Sequence, residues 1–228
     1  MSMLSYIKCR KKKEAVFSAQ AEIHFGRQAF WIPAFAGKTK TSYLRSHNNR
    51  KHSSMYEKTY PSKRFTLTLA FLQKHIPTSE TIFDLGVPNP FSKIMSANGY
   101  TVINTKGEDL DNDQTALQNE SYDVFTGFEI FEHLLNPYTI LENVKCDKLL
   151  ISIPLRLWFS AAYRSKTDKW DRHYHEFEDW QLDWLLEKTG WKIIDRQKFT
   201  HPVKKFGFRP LLRYFTPRYY MVYAEKVK

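Results

Sequence analysis

Residues 81–92 read TIFDLGVPNPFS, and residues 122–134 read YDVFTGFEIFEHL. Each stretch is a short apolar run that stops at charged or small residues. Thr81, Ile82 and Phe83 lead into Asp84-Leu85-Gly86. Tyr122-Asp123-Val124 opens a second run that ends at Phe128, Glu129 and the Glu132-His133 pair. Short apolar runs bounded by turn signals read as buried strands. Their surroundings are helical. Phe65, Leu69, Leu72 and Ile76 recur at i, i+4, i+7 and i+11, and Pro77 ends that helix. A helix over 92–98 is closed by Gly99. Asn136 and Pro137 open another helix that runs to about Lys145. Strands are expected at 81–85, 100–104, 122–128, 148–154, 191–198 and 219–225. A helix with Phe177, Trp180, Trp184 and Leu185 on one face precedes the fifth of these. KLLISIP, residues 148–154, is apolar on both faces, as a parallel strand requires. Strands alternating with helices predict an α/β fold with a doubly wound, mostly parallel sheet and a C-terminal antiparallel strand.

In such a sheet ligands bind outside the carboxyl ends of the strands, at the switch point of the topology. The rule brings the two quoted stretches together. Asp84 either caps an ordinary strand-to-helix turn or accepts hydrogen bonds from a cationic ligand group. Gly86 lets the backbone turn with positive φ or approach a ligand closely. An acid is expected at the end of the next strand, but position 104 is Asn104. The nearest acids are Glu108 and Asp109. Phe128 and Glu129 emerge at the carboxyl end of the third strand. His133 is a candidate general base, because imidazole titrates near neutrality; its other role is to orient the loop.

As an ordered set, these residues resemble class I S-adenosylmethionine (SAM) dependent methyltransferases of the small-molecule type. The resemblance runs from Phe65 to Glu225 and is carried by TIFDLG, by ESYDVFTGFEIFEHLLNP, by KLLISIP and by HYHEFEDWQLDWLLEKTGW. It implies SAM as cofactor, held by Asp84, Leu85, Gly86, Asn89, Asn104, Glu108, Asp109, Phe128 and Glu129. It implies methyl transfer to a small-molecule or a lipid- or glycan-linked acceptor. The acceptor pocket would be lined by Trp158, Tyr163, His173 and His175. The chain departs from the family at one place. The first loop is commonly D-x-G-x-G-x-G, and here Pro88 and Pro90 interrupt it. Proline offers no N–H and fixes φ, so the loop cannot be the same glycine cradle. A methyltransferase fold kept for binding, without catalysis, is therefore the alternative reading. His173 and His175 alternate and with Asp171 and Glu176 carry metal-ligand chemistry, but no metal is assigned. Residues 206–220, aromatic and basic, either cover the acceptor pocket or pack as a hairpin on the sheet edge.

Charge divides the chain. The net charge is +11, of which +9 falls in residues 1–54, with 11 Lys/Arg against Glu14 and Glu22. This arm reads as a solvated, disordered segment, the one part expected to meet nucleic acid or anionic lipid. Its residues 30–40, FWIPAFAGKTK, look like the translation of a palindromic DNA repeat dispersed in bacterial genomes, which makes Met55 the expected start of the folded domain, 55–228. Two distant cysteines, Cys9 and Cys146, point to a reducing, cytoplasmic setting. No apolar run reaches the ~18 residues that stable membrane insertion requires. No GxxxxGK[ST] or GxSxG motif is present, which disfavours nucleotide hydrolysis and serine hydrolase chemistry.

Overall fold

The computed structural model describes residues 62–202 and 206–227. The basic arm, 1–54, and its boundary at Met55 lie outside the described residues. Helix α1 is Ser62–His75, followed by β1 Thr81–Asp84, α2 Pro90–Ala97, β2 Thr101–Asn104, α3 Thr115–Asn119 and β3 Val124–Phe128. A 3-10 turn, Phe131–His133, then leads to α4 Pro137–Asn143, β4 Lys148–Pro154, α5 Asp179–Lys188, β5 Trp191–Phe199, α6 Phe208–Phe215 and β6 Tyr219–Lys226.

The six strands lie in the order β2-β1-β3-β4-β6-β5. β2, β1, β3 and β4 pair in parallel, and β6 runs antiparallel to both of its neighbours. The mostly parallel sheet with a reversed C-terminal strand is the architecture expected from the sequence. Side chains alternate across it. Phe83, Phe125, Leu149 and Ile151 point to one face, with Ile140 and Leu141 of α4 and Leu182 and Leu186 of α5. Ile82, Val124, Leu150 and Met221 point to the other, with Phe65, Phe71 and Leu72 of α1 and Phe91 and Met95 of α2. Two cores therefore clamp one sheet.

Three local readings need correction. α2 begins at Pro90, two residues before the expected Ser92. Asn89 is its N-cap: Asn89 Oδ1 accepts the amides of Phe91 and Ser92 at 2.8 and 3.1 Å, and Ser92 Oγ accepts the Asn89 amide at 2.9 Å. This is a capping box with Pro at the first helical position. α5 buries Leu182 and Leu186, not the expected tryptophans. Trp180 and Trp184 are exposed and meet edge to face, 4.6 Å apart. Period alone could not separate the two stripes, because Leu and Trp are both apolar. Residues 206–220 form no hairpin. They contain α6, with no buried residue, followed by the entry to β6, which lies inside the sheet between β4 and β5.

Candidate active site

β1 and β3 are neighbours, and the chain leaves them toward opposite sides, so a crevice opens above their carboxyl ends. Asp84 ends β1 directly opposite Thr126 of β3 and Asn104 of β2. It is 1% exposed. Thr126 Oγ1 donates to Asp84 Oδ1 at 2.9 Å, and Asn104 Nδ2 donates to Oδ2 at 3.0 Å. Burial raises the Asp84 carboxyl to about 6, although hydrogen bonds from Thr126, Asn104, Asn89 and Ser92 pull it down. The same Asn104 amide reaches the carbonyls of Asp84 and Gly86 at 3.1 and 3.2 Å. Gly86 has φ +110, a conformation that strains any residue with a Cβ. Its N–H donates to Thr105 Oγ1 at 3.1 Å. Asp84 is thus the hub that ties three strand ends together.

The loop after β2 uses its acids on itself and on its neighbour. Glu108 Oε2 accepts the Lys106 amide at 2.6 Å. Asp109 accepts from the Asp111 amide and from Asn112 Nδ2, at 3.3 and 2.9 Å. Asp111 reaches across to the turn before α4, where its carboxylate accepts the amides of Leu135 and Asn136 at 2.9–3.0 Å.

The carboxyl end of β3 is different in kind. Glu129 takes φ +54, the single positive φ among the described non-glycine residues. Such a conformation costs on the order of 1 kcal/mol and persists only where its surroundings enforce it. The Glu129 amide donates to the Ser152 carbonyl at 3.0 Å, and Ser152 Oγ donates to Glu129 Oε1 at 2.9 Å. Arg64 of α1 faces Glu129 Oε2 at 3.4 Å. Burial raises the Glu129 carboxyl, and the Arg64 charge opposes the rise. Arg64, Phe65, Thr68, Asp84, Leu85, Asn89, Phe91, Phe128, Glu129 and Ser152 line one cavity of about 50 Å³. Five of the sequence-derived site residues meet there: Asp84, Leu85, Asn89, Phe128 and Glu129. Arg64 and Ser152 were not foreseen. Arg64 lies in a helix whose apolar period hides a lone cation, and Ser152 interrupts an apolar strand with a small polar residue, which was the available signal.

Four residues further on, β3 feeds a second cluster. Glu132 is 2% exposed, and burial, aided by the Glu129 charge, holds its carboxyl well above the usual range. Its Oε1 lies 3.7 Å from His133 Nε2, and its Oε2 has no hydrogen-bond partner. His133 Nδ1 faces the Arg172 carbonyl at 2.9 Å. The His133 and His173 rings meet edge to face at 4.8 Å, and Tyr163 lies 4.6 Å from His173. Burial lowers both histidines, which favours the neutral imidazole. His173 and His175, expected to share one face, take different partners. His175 Nε2 lies 3.3 Å from the Leu135 carbonyl, and its ring tilts on Phe177. Trp158 is 70% exposed and contacts Phe159. The structure therefore gathers His133, Tyr163 and His173, and leaves Trp158 apart from them.

No protein-family model matches the chain, and no curated protein matches it. Solved structures do. A 1,6-didemethyltoxoflavin-N1-methyltransferase of Burkholderia thailandensis, solved with 1,6-didemethyltoxoflavin and S-adenosylhomocysteine, superposes with a TM-score of 0.53 at 15% identity, over 86% of this chain and 94% of that one. A protein of Listeria monocytogenes described as SAM-dependent methyltransferase gives 0.51 at 12% identity, over 71% and 98%. A Haloferax volcanii protein in complex with the Trm112 methyltransferase activator gives 0.51 at 11% identity, over 83% and 98%. At such identities the likeness is one of fold. The chain has the Rossmann-like fold of the SAM-dependent methyltransferases. Among the described residues no helix is long and apolar enough to cross a membrane.

Proposed function

We propose that the chain is a SAM-dependent methyltransferase acting on a small-molecule or a lipid- or glycan-linked acceptor. The observation that carries this reading is the charge pattern of the crevice cavity. A buried acid, Asp84, a partly buried acid, Glu129, and one cation, Arg64, line the same small space. The amino-acid end of SAM is a zwitterion, so its ammonium suits the acids and its carboxylate suits the guanidinium. Arg64 and Glu129 answer each other at 3.4 Å. Binding would exchange that one ion pair for two, each chain residue taking an oppositely charged partner on the cofactor. A cavity of about 50 Å³ is far smaller than the several hundred Å³ usual for ligand sites, so α1 has to give way at Arg64 when the cofactor enters. Asp84 keeps the strand ends aligned, with Asn104 and Thr126 holding its oxygens. Gly86 and Leu85 bring backbone close to the ligand, and Phe128 offers an apolar wall.

SAM supplies a methyl group already activated on a sulfonium. The protein's task is alignment and the exclusion of water, with a base needed only for an acceptor that must lose a proton. His133, with Nδ1 against a carbonyl, presents Nε2 for that purpose. Tyr163, His173 and His175 belong to the acceptor side in this reading, and Trp158 is free to close over it. The acceptor is the partner in this reading, and a cytoplasmic, bacterial setting completes it.

Calorimetric titration of the full chain with SAM is the test. Micromolar binding is expected, and a folded sample with no detectable binding removes the proposal. A second reading, a methyltransferase-fold accessory protein without catalysis, is favoured by one observation: the proline-bearing loop satisfies its own polar groups through Asn89 and Ser92. SAM binding with no methyl transfer to any offered acceptor would favour it.

A further inference from the structure

Glu132, His133 and His173 bring one carboxylate and two imidazoles together at the base of the 171–176 segment. We propose that these three side chains form a binding site for a single first-row transition dication, with zinc as its simplest probe. Their ligating atoms already lie within 4.8 Å of one another. Metal–ligand bonds of about 2.0–2.2 Å place neighbouring donors of a tetrahedral ion roughly 3.4 Å apart. Closure around an ion therefore asks for movements on the order of 1 Å, within the reach of three side chains.

Glu132 Oε1 and His133 Nε2 stand 3.7 Å apart, too far for a hydrogen bond. Glu132 Oε2 is buried with no partner at all. Buried carboxylate oxygens are nearly always satisfied, and an exception calls for a partner such as a water or an ion. The histidines are set for the purpose. A carbonyl oxygen only accepts, so the 2.9 Å contact with Arg172 places the His133 proton on Nδ1. Nε2 is left with its lone pair, directed at Glu132. Metal-bound histidines are oriented in this way, by a carbonyl or carboxylate behind the distal nitrogen. His173 has Glu176 Oε1 at 3.7 Å from its Nδ1, a nearby charge beyond hydrogen-bond distance. Asp171 and Glu176 add negative charge around the histidines, against the positive charge of Arg218.

The donor set selects the ion. Two imidazoles disfavour calcium and magnesium, which take oxygen ligands, and the lack of a thiolate disfavours soft cuprous copper. Two histidines and a carboxylate suit zinc, cobalt, manganese or ferrous iron, and three protein ligands leave further positions open. With its Nε2 on the ion His133 gives up the role of base, and a hydroxyl acceptor held at an open position would lose its proton to water more readily, since the cation stabilises the oxyanion. The acceptor oxygen's lone pair then forms the O–CH3 bond while the S–CH3 bond breaks and its electron pair stays on sulfur. That role rests on the methyltransferase reading; the binding of the ion does not.

The test uses the full chain, stripped with EDTA, and titrates it calorimetrically with Zn2+ and optically with Co2+, whose visible absorption reports coordination. Wild type is expected to bind with micromolar affinity or better. E132Q and the double variant H133A/H173A are each expected to weaken binding at least tenfold and to lose the Co2+ signal, which identifies this site among the chain's eight histidines. E132Q keeps the side-chain shape and replaces a buried carboxyl with a neutral amide, so its melting temperature should equal or exceed that of wild type and exclude misfolding as the cause. The proposal is overturned by absent binding in folded wild type, or by less than tenfold weakening in either variant. Titration of the same samples with SAM separates the two readings: zinc binding without SAM binding leaves the ion site and removes the methyltransferase, and SAM binding without zinc binding does the reverse.

Discussion

The ends of β1 and β3 lie side by side, yet they are built on opposite terms. At the end of β1 every prominent polar side chain has a partner inside the protein. Asp84 holds Thr126 and Asn104, Asn89 caps α2, and Ser92 answers Asn89. At the end of β3 the backbone is strained at Glu129, that partly buried acid is met by a helix cation, and the buried Glu132 has an oxygen without a partner. A self-satisfied end is scaffold. A strained, charged and incompletely satisfied end is where ligand binding and chemistry concentrate. The degenerate loop therefore weighs less against the proposed function than its prolines imply, because two of the three charges lining the cavity, Arg64 and Glu129, lie outside β1 and its loop.

The comparison can be broken at four points. Asp84 has the largest expected effect, and it falls on stability. Burial pushes its folded-state carboxyl up to about 6 from the ordinary 3.8. The folded protein thus takes up this proton first, and acidification from pH 7 to 4 favours folding through Asp84. Relative to Asp84→Asn, wild type should gain on the order of 3 kcal/mol across that window, measured by urea unfolding at several pH values. A constant difference between the two proteins would mean that Asp84 is not buried as described. Next come Arg64 and Glu129. Removing either to Ala should lower SAM affinity about 100-fold, near 2.7 kcal/mol, as truncated buried charge pairs do; calorimetry that finds less than a fivefold loss would place the cofactor elsewhere.

Gly127 sharpens the comparison in stability terms alone. A Cβ there would stand 2.7 Å from Phe131 Cε2, on a ring with no exposure. Gly127→Ala should cost about 2 kcal/mol by overpacking, read from thermal or urea unfolding, and a neutral result would show that the β3 end yields easily. Asn89→Ala is the smallest. Loss of the α2 cap should cost about 1 kcal/mol, with SAM affinity within threefold of wild type. A large loss of SAM affinity would return Asn89 to the ligand and erase the contrast between the two ends.

The sheet was legible because its strands carry their burial in their composition. Ile82, Phe83, Val124, Phe125 and the run from Leu149 to Ile153 admit few other readings. Proline and capping residues fixed the helix starts at Pro137 and, once Asn89 is seen as the cap, at Pro90. Where two apolar stripes shared one period, as Leu182/Leu186 and Trp180/Trp184 do, sequence had no means of choosing. The site was half legible. Asp84, Phe128 and Glu129 follow from the rule that ligands meet carboxyl strand ends. Arg64 does not, since it reaches Glu129 from a helix 65 residues earlier in the chain. Nor does the meeting of His133 with His173, which depends on how residues 155–172 fold back over the sheet.

The carboxylate of Asp111 has a mechanical consequence. By holding the amides of Leu135 and Asn136 it rivets the rim above β2 to the rim above β3, so the two sides of the crevice mouth cannot part independently. Under the proposed function, entry then falls to the α1 side of the crevice. Amide hydrogen exchange should find Leu135 and Asn136 protected to the same degree with and without ligand, while protection in α1 changes.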